Sequence, residues 1–427
     1  LGEVARRSFR DYAPDFTVLA RAVGLRGAHT LPERLDDIAS LGGRLARDAE
    51  AVRSVNEPAW LAYTIFERVG AKLDREAVED FRIDFEDGYG NRPDAEEDGH
   101  AIAAAEEVAK GIAAGTLPPF IGIRTKPFND ELHARSIRTL DLFLTTLAQR
   151  AGGKVPDNFF VTLPKVTVRE QVTVLADLLD LIEQKTGMAP GAVKVELMIE
   201  TPQSILDISG ESALLALVEA ARGRCTGAHF GTYDYTAGCS ITAAYQHMRH
   251  PVCDFAKHMM QVALAGTGVM LSDGATNVMP IGPHRAQAGG APLTSDQEFE
   301  NRLIVHRAWK LHYDDIRHSL ETGYYQGWDL HPAQLPTRYA AVYAFFLEGL
   351  EAASVRLRNF IDKAAQATLV GDVFDDAATG QGLLNFFLRG IACGAISEQE
   401  AQVTGLTLEE IRGRSFVKIL NARRTKA

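Results

Sequence analysis

The feature that most constrains the fold is a repeated alternation of short apolar segments with helical stretches, between about residue 80 and residue 335. Each apolar segment ends on polar or glycine residues, and a helical pattern follows it. Seven segments show this pattern: 81–85, 119–123, 158–163, 193–199, 228–230, 268–271 and 327–330. Strands that alternate with helices build parallel sheets from βα units. With a weaker eighth segment at Gly27–Leu31, the sequence predicts an α/β fold, a (β/α)8 TIM barrel rather than an open sheet.

The chain is longer than the roughly 250 residues of a typical barrel, since it has 427 residues. Helical patterns precede the first clear strand, and strand patterns stop after about residue 337. Beyond that point helices are predicted at Tyr339–Arg358, Gly380–Cys393 and Leu408–Ala422. We therefore predict an N-terminal helical segment at 1–75, which would include an early barrel strand, a TIM-barrel catalytic domain at 76–337, and a helical C-terminal domain or lid at 338–427.

Composition excludes several classes of partner. The balance of 45 basic against 56 acidic residues gives a net charge of −11, which argues against nucleic acid. No apolar run approaches the length of a membrane span, and no signal peptide is visible. The four cysteines lack metal-finger spacing and are predicted to be reduced. These features predict a cytoplasmic protein.

Two strands are followed by acids. The apolar segment that begins at Lys194 ends at Glu200, and the one that ends at Phe230 is followed by Asp234. The carboxyl ends of barrel strands converge on one face, where two carboxylates about 4 Å apart repel by about 4 kcal/mol at an effective dielectric constant of about 20. Mg²⁺, or Mn²⁺ in its place, removes that repulsion. The alternative is that each acid caps a helix, since Thr201-Pro202 resembles a helix start. Two such acids, with no cationic residue expected beside either, favour the metal.

Two cationic residues end other strands. Arg124 closes an apolar run, and its planar guanidinium suits a carboxylate or an enolate oxygen. The alternative for Arg124 is a structural ion pair with Glu86 or Asp87. Lys165 follows Leu163-Pro164 and would hold a substrate anion or pair with an acid. A lysine here would also suit a Schiff-base aldolase, but the acids favour a metal-stabilised enolate.

The motifs together resemble the malate synthase and citrate lyase β-subunit superfamily, which includes HpcH/HpaI aldolase-like proteins. The resemblance covers about residues 80–335 and rests on Asp84-Phe-Glu-Asp87, Ile123-Arg124, Leu163-Pro-Lys165, Ile199-Glu-Thr201, Phe230-Gly-x-x-Asp234 and Leu330-His-Pro332. The motifs lean toward malate synthase, because Gly231-Thr-Tyr-Asp-Tyr235 resembles its Gly-Arg-Trp-Asp-Tyr signature. Asp375-Asp-Ala-Ala-Thr379 is similar to the motif that carries the catalytic aspartate of malate synthase. In contrast, Thr236–Met248 does not resemble the coenzyme A-binding stretch of that family.

The resemblance implies a Mg²⁺-dependent carbon–carbon lyase or synthase that acts on a small 2-oxo acid, with an acyl-CoA as an open second partner. It implies metal binding by Glu200 and Asp234 and catalysis by Arg124 and Asp376, the latter as the base. Substrate contacts are assigned to Arg124, Glu86, Asp87, Lys165, Gly231, Thr232 and Tyr233. We also expect a homo-oligomer.

Three alternatives stay open. Asp375 or Asp376 fits a helix N-cap almost as well as a base. A second alternative is that the reaction is a class II aldolase-type cleavage of a 2-oxo or hydroxy acid without coenzyme A. A third is that the barrel binds a metabolite without catalysing a reaction.

Overall fold

The computed structural model describes residues 1–286, 290–362, 368–370, 373–375, 377–413, 415 and 418–419. Contacts group the chain into two compact units. The helical unit comprises Leu1–Ala77, Val278–Leu320 and His331–Ala427, and the sheet unit comprises Val78–Asn277 and Glu321–Leu330. This grouping joins segments that are distant in sequence, so the domain boundaries predicted at residues 75 and 337 stay predictions.

The helical unit contains ten of the described α-helices. Numbered in chain order, they are α1 (Gly2–Tyr12), α2 (Phe16–Val23), α3 (Leu35–Arg47), α4 (Ala49–Arg53), α5 (Glu57–Glu76), α13 (Ser295–Glu321), α14 (Leu335–Asp362), α15 (Ala377–Ala392), α16 (Glu398–Gln402) and α17 (Leu408–Arg412). The side chains of Asp15 and Asn56 begin α2 and α5 by accepting hydrogen bonds from backbone N–H groups of the first turn. No helix among the described residues is long and apolar enough to cross a membrane.

Two predictions for this unit are wrong. The segment Gly27–Leu31 is not a strand, because Ala28–Thr30 forms a 3₁₀ turn after Gly27, whose φ of 74° is a left-handed conformation that glycine adopts without steric cost. Strands also do not stop after residue 337, since β8 (Thr368–Val370) pairs with β9 (Val373–Asp375) as an antiparallel hairpin. Three-residue strands are too short to show a period-two pattern in the sequence.

The sheet unit confirms the seven predicted strands. They are β1 (Asp80–Asp84), β2 (Phe120–Arg124), β3 (Phe159–Leu163), β4 (Lys194–Ile199), β5 (Cys225–Phe230), β6 (Met270–Ala275) and β7 (Gly327–Trp328). All neighbours pair in parallel and in sequence order. The helices of this unit are α6 (Asp94–Ala114), α7 (His133–Ala151), α8 (Arg169–Thr186), α9 (Pro202–Ile205), α10 (Leu214–Ala220), α11 (Thr232–Gly238) and α12 (Pro251–Leu264).

The two faces of the sheet differ in polarity, because successive side chains of a strand point to opposite faces. One face carries apolar residues such as Ile123, Val161 and Leu197, which are fully buried in the main hydrophobic core of the unit. The other face carries polar residues. There Arg82 of β1 pairs with Glu196 of β4 at 3.2 Å.

The sheet curls toward this polar face. Besides the pair between β1 and β4, Gln326, which precedes β7, donates a hydrogen bond to Asp80 of β1 at 3.2 Å. The predicted α/β class is confirmed. The described residues give a curled sheet of seven strands. Among them, no eighth strand joins this sheet, and β7 does not pair with β1 through backbone hydrogen bonds.

Candidate active site

Glu200 lies directly after β4 and is buried, with 2% of its surface exposed. Its Oε1 accepts a hydrogen bond from the backbone N–H of Lys165 at 2.7 Å. Lys165 has a φ of 51°, a left-handed conformation that is unusual for a residue with a side chain. Gly231 lies against the other side of Glu200, and a Cβ at that position would meet Glu200 Oε2 at 2.4 Å. Only glycine therefore leaves room for the carboxylate.

Asp234 lies in the first turn of α11, which follows β5. Strands β4 and β5 are neighbours, and Ile199 stands opposite Phe230 at their carboxyl ends. The two acids therefore follow adjacent strands, as the sequence predicts. The expectation that no cation lies beside them is wrong, because Lys165 Nζ is 3.5 Å from Asp234 Oδ2. The sequence hid this contact because Lys165 follows β3, two strands from β5.

The Lys165 ammonium contacts three carboxylates. It donates hydrogen bonds to Glu86 and to Asp87 Oδ2, the latter at 2.8 Å, in addition to its contact with Asp234. Burial lowers the pKa of Lys165, but the hydrogen bonds to Asp87 and Glu86 outweigh burial and raise it above its usual range. Lys165 is therefore a permanent cation at the carboxyl ends of the strands.

Arg124, the last residue of β2, is also engaged by acids. Its Nε and Nη2 donate to the two carboxylate oxygens of Asp84 at 2.7 and 2.6 Å. Its Nη1 lies 3.2 Å from Glu86 Oε2. Burial lowers the pKa of Arg124, but Asp84 and Glu86 more than offset this effect and raise it. The ion pair with Glu86 was an alternative open to the sequence, whereas the bidentate pair with Asp84 was missed.

Acids outnumber cations in this cluster. Arg124 and Lys165 are the two cations, and the acids that they contact are Asp84, Glu86, Asp87, Asp234 and, through a backbone N–H, Glu200. Ionisation of every group would leave three uncompensated negative charges. Burial and the neighbouring charge of Asp234 raise the pKa of Glu200 to about 8. Burial also raises the pKa of Glu86, whereas the hydrogen bonds of Asp87 with Lys165 and Glu86 outweigh burial and lower the pKa of Asp87.

The segment after β5 holds the remaining predicted contact residues. Tyr233 fixes the chain after β6, because its hydroxyl donates to the carbonyl of Ala275 at 2.8 Å and accepts from the N–H of Asn277 at 3.0 Å. Thr232 is 1% exposed, and its hydroxyl has no hydrogen-bond partner within the part of the chain that is described. A buried hydroxyl without a partner costs free energy.

Two aromatic rings that the sequence did not single out lie near Arg124. The imidazole of His229 stacks on the indole of Trp328 with ring centroids 4.0 Å apart. The Arg124 guanidinium lies 5.1 Å from the centre of the Trp328 ring. Burial, with the charge of Arg124, lowers the pKa of His229 well below its usual range, so this imidazole is neutral. Because side chains alternate along β5, His229 lies on the same face as Gly227 and Gly231. This alternation in the sequence could have identified His229 as a residue near the site.

The predicted metal and substrate residues thus lie together at the carboxyl ends of β1 to β5, apart from the predicted base. Asp376 lies outside the described residues. Among the described residues, no group of three or more His, Cys, Asp or Glu is arranged to hold a metal ion. Mg²⁺ binds through one or two protein carboxylates together with water and substrate oxygens, so the pair Glu200 and Asp234 meets that smaller requirement.

The family of the chain follows from its sequence. The family model described as "Domain of unknown function (DUF6986)" matches residues 1–419, so the chain belongs to this family. No curated protein matches the sequence.

The fold of this chain is similar to that of several solved structures. A citrate lyase from Burkholderia xenovorans LB400 aligns with a TM-score of 0.56 and 19% identity, over 80% of this chain and 92% of that chain. The protein CitE from Mycobacterium tuberculosis, solved with magnesium, acetoacetate and coenzyme A, aligns with a TM-score of 0.49 and 16% identity, over 75% and 92%. Haloferax volcanii malate synthase, solved at 3 mM glyoxylate, gives 0.43 and 13%, over 76% and 87%. The alignment with the citrate lyase confirms the predicted resemblance to the superfamily as a likeness of fold alone.

The close approach of Gly231 to Glu200 predicts the effect of adding one methyl group. Gly231→Ala should lower the free energy of unfolding by about 1–3 kcal/mol, because the new Cβ overlaps the buried carboxylate. The matched control is Gly99→Ala in α6, where a Cβ meets nothing within 4 Å and stability should rise by about 0.5–1 kcal/mol. Urea denaturation measures both. Equal stability of Gly231→Ala and wild type would contradict the packing described.

The raised pKa of Glu200 predicts how stability depends on pH in the absence of divalent cations. Between the ordinary pKa of 4.5 and the folded value of about 8, the native protein holds a proton that the unfolded chain has lost. Stability should therefore fall as pH rises through this window, by on the order of 5 kcal/mol from this group. Denaturation midpoints measured from pH 4.5 to 8 in chelator should show a flatter profile for Glu200→Gln. If the wild type and Glu200→Gln lose stability equally over this pH range, the pKa of Glu200 is not raised in the folded protein.

Proposed function

We propose that this protein is a Mg²⁺-dependent enzyme that makes or breaks a carbon–carbon bond of a small 2-oxo acid. The excess of carboxylates over cations at the strand ends supports this proposal most directly. Buried, uncompensated carboxylates are costly unless a cation or a proton neutralises them. At neutral pH a proton on Glu200 does so in part, as its pKa of about 8 indicates.

The residues present fit a hard divalent cation, Mg²⁺ or Mn²⁺. Glu200 and Asp234 offer carboxylate oxygens from neighbouring strands, and Gly231 leaves room beside Glu200 that a side chain would fill. When bound, the cation supplies a Lewis acid that polarises the carbonyl of a 2-oxo acid or stabilises its enolate. Ligation by Glu200 would require loss of its proton, so cation binding should release protons near neutral pH.

Arg124 and Lys165 bind the negative charge of the substrate in this proposal. Asp84 engages Nε and Nη2 of the Arg124 guanidinium, and Glu86 lies 3.2 Å from Nη1. The remaining N–H of each Nη group would donate to a carboxylate or a developing oxyanion. Lys165 supplies a second positive charge, while Glu86 and Asp87 fix its ammonium. Gly231, Thr232 and Tyr233 line the same strand end, where the Thr232 hydroxyl is free to bond a ligand oxygen.

The base and the second substrate rest on the sequence resemblance. We assign the base to Asp376, which would remove a proton from an acyl donor or from a substrate hydroxyl. An acyl-CoA is the proposed partner of the 2-oxo acid. A closed eight-stranded barrel, which the succession of βα units predicts, and a homo-oligomer also remain proposals.

Two other functions stay open. The first is cleavage of a 2-oxo or hydroxy acid without coenzyme A, and the second is metabolite binding without catalysis. A mass-spectrometric screen of 2-oxo acids with and without acyl thioesters, in both reaction directions, separates them. Turnover that requires a thioester supports the acyl-CoA reaction, with free coenzyme A or a longer thioester formed on condensation and a shorter acyl-CoA formed on cleavage. Products formed without a thioester support the aldolase-type reaction. Ligand binding without turnover in the full screen supports the binding protein.

Removal of one proposed metal ligand tests the cation site. Asp234→Asn should weaken Mg²⁺ binding by at least about tenfold, because one of the two protein carboxylates loses its charge. Isothermal titration calorimetry measures the affinity. The matched control is Asp177→Asn on α8, whose carboxylate pairs with Arg222 at 2.6 Å and should not affect Mg²⁺. Equal affinity of Asp234→Asn and wild type would reject the site.

A further inference from the structure

We propose that Asp84 is a positioning residue that holds the Arg124 guanidinium and the turn carrying Glu86 and Asp87 in one fixed arrangement. This inference deepens the proposed function and rests on it, because it takes Arg124 to bind the 2-oxo acid. Asp84 itself needs no contact with the substrate for this role.

The first half of the arrangement is the pair with Arg124. Asp84 and Arg124 stand opposite each other at the ends of the parallel strands β1 and β2, so their side chains leave the sheet side by side. The two N–H···O bonds, at 2.7 and 2.6 Å, join both carboxylate oxygens to one edge of the guanidinium. A bidentate contact between charged groups fixes both the position and the plane of the arginine.

The second half is the turn that follows β1. The same Oδ1 of Asp84 accepts the backbone N–H of Glu86 at 3.0 Å, and the same Oδ2 accepts the N–H of Gly88 at 2.8 Å. Gly88 lies so close that a Cβ there would meet Asp84 Oδ2 at 2.5 Å. Each oxygen of Asp84 therefore accepts one N–H from the arginine and one from the turn.

This sharing couples two parts of the candidate site. The turn carries Glu86 and Asp87, which hold the Lys165 ammonium, and Glu86 Oε2 also lies 3.2 Å from Arg124 Nη1. One N–H of each Nη group of Arg124 is left for a substrate oxygen. Fixing Arg124 in advance reduces the side-chain entropy that substrate binding would otherwise cost. We expect Asp84 to act on oxo-acid affinity through Arg124.

Asp84→Asn tests the proposal because an amide replaces one acceptor oxygen with an NH₂ group. Whichever way the amide is oriented, one N–H of Arg124 and one of the turn then lose their acceptor. Calorimetric titration with oxalate, a stable analogue of a 2-oxo acid, is done at saturating Mg²⁺. We expect oxalate affinity to fall about 10- to 100-fold, as for residues that support a ligand-binding group.

Combining Asp84→Asn with Arg124→Lys shows whether Asp84 acts through Arg124 or only through the general stability of the site. Arg124→Lys should also lower oxalate affinity, and adding Asp84→Asn to it should lower the affinity by no more than about twofold further. The matched control is Asp80→Asn, which removes an acid that pairs with Arg82 at the other end of β1 and should leave oxalate affinity unchanged. The proposal is overturned if Asp84→Asn leaves oxalate affinity unchanged. It is also overturned if Asp84→Asn lowers the affinity as strongly in the Arg124→Lys background as it does in wild type.

A failure of the proposed function can be told apart from a failure of the positioning role of Asp84. If the wild type binds no oxalate with Mg²⁺, the proposed function is wrong, and hydrogen exchange of the Arg124 Nε–H, measured by NMR, decides the role of Asp84. The Arg124 signal is identified by its absence in Arg124→Lys. Slow exchange in wild type and fast exchange in Asp84→Asn support positioning, and equal exchange rates refute it.

Discussion

The arrangement of the candidate site depends on Lys165. Its ammonium contacts Glu86 and Asp87 after β1 and Asp234 after β5, while its backbone N–H binds Glu200 after β4. One residue after β3 thus joins three other strand ends, and its left-handed backbone directs the N–H and the side chain to different partners. Without that positive charge, the acids of these strand ends would face one another in a partly buried space.

The site is therefore incomplete electrostatically, although its two cations, Arg124 and Lys165, are hydrogen-bonded to carboxylates. Arg124 is matched by Asp84 and Glu86, and Lys165 by Glu86 and Asp87. Glu200 is buried near Asp234, and among the described residues a single backbone N–H donates to it, so burial and the charge of Asp234 raise its pKa. A divalent cation would correct this imbalance, and a protein selected only for stability would have no reason to retain it.

The sequence predicted much of the fold because parallel strands leave a strong local signal. All seven strands of the sheet were found from apolar runs that end on polar residues, whereas Ala28–Thr30 and the hairpin β8–β9 were not, since three-residue elements carry little periodicity. The same limit applies to the site residues. The sequence predicted that they lie at strand ends, but it did not predict which side chains they contact. The bond between Asp84 and Arg124 and the reach of Lys165 to Asp234 depend on side-chain directions that only the folded sheet defines.

The proposed chemistry depends on a divalent cation bound between Glu200 and Asp234. Anomalous diffraction from crystals soaked in Mn²⁺ tests it most directly, because manganese scatters anomalously and the protein ligands are then seen together with the ion. We expect one strong peak within about 2.5 Å of a carboxylate oxygen of each residue. Lys165 should move away from Asp234 at the same time. A cluster that binds no manganese at saturating concentration, with Lys165 still in contact with Asp234, would contradict it.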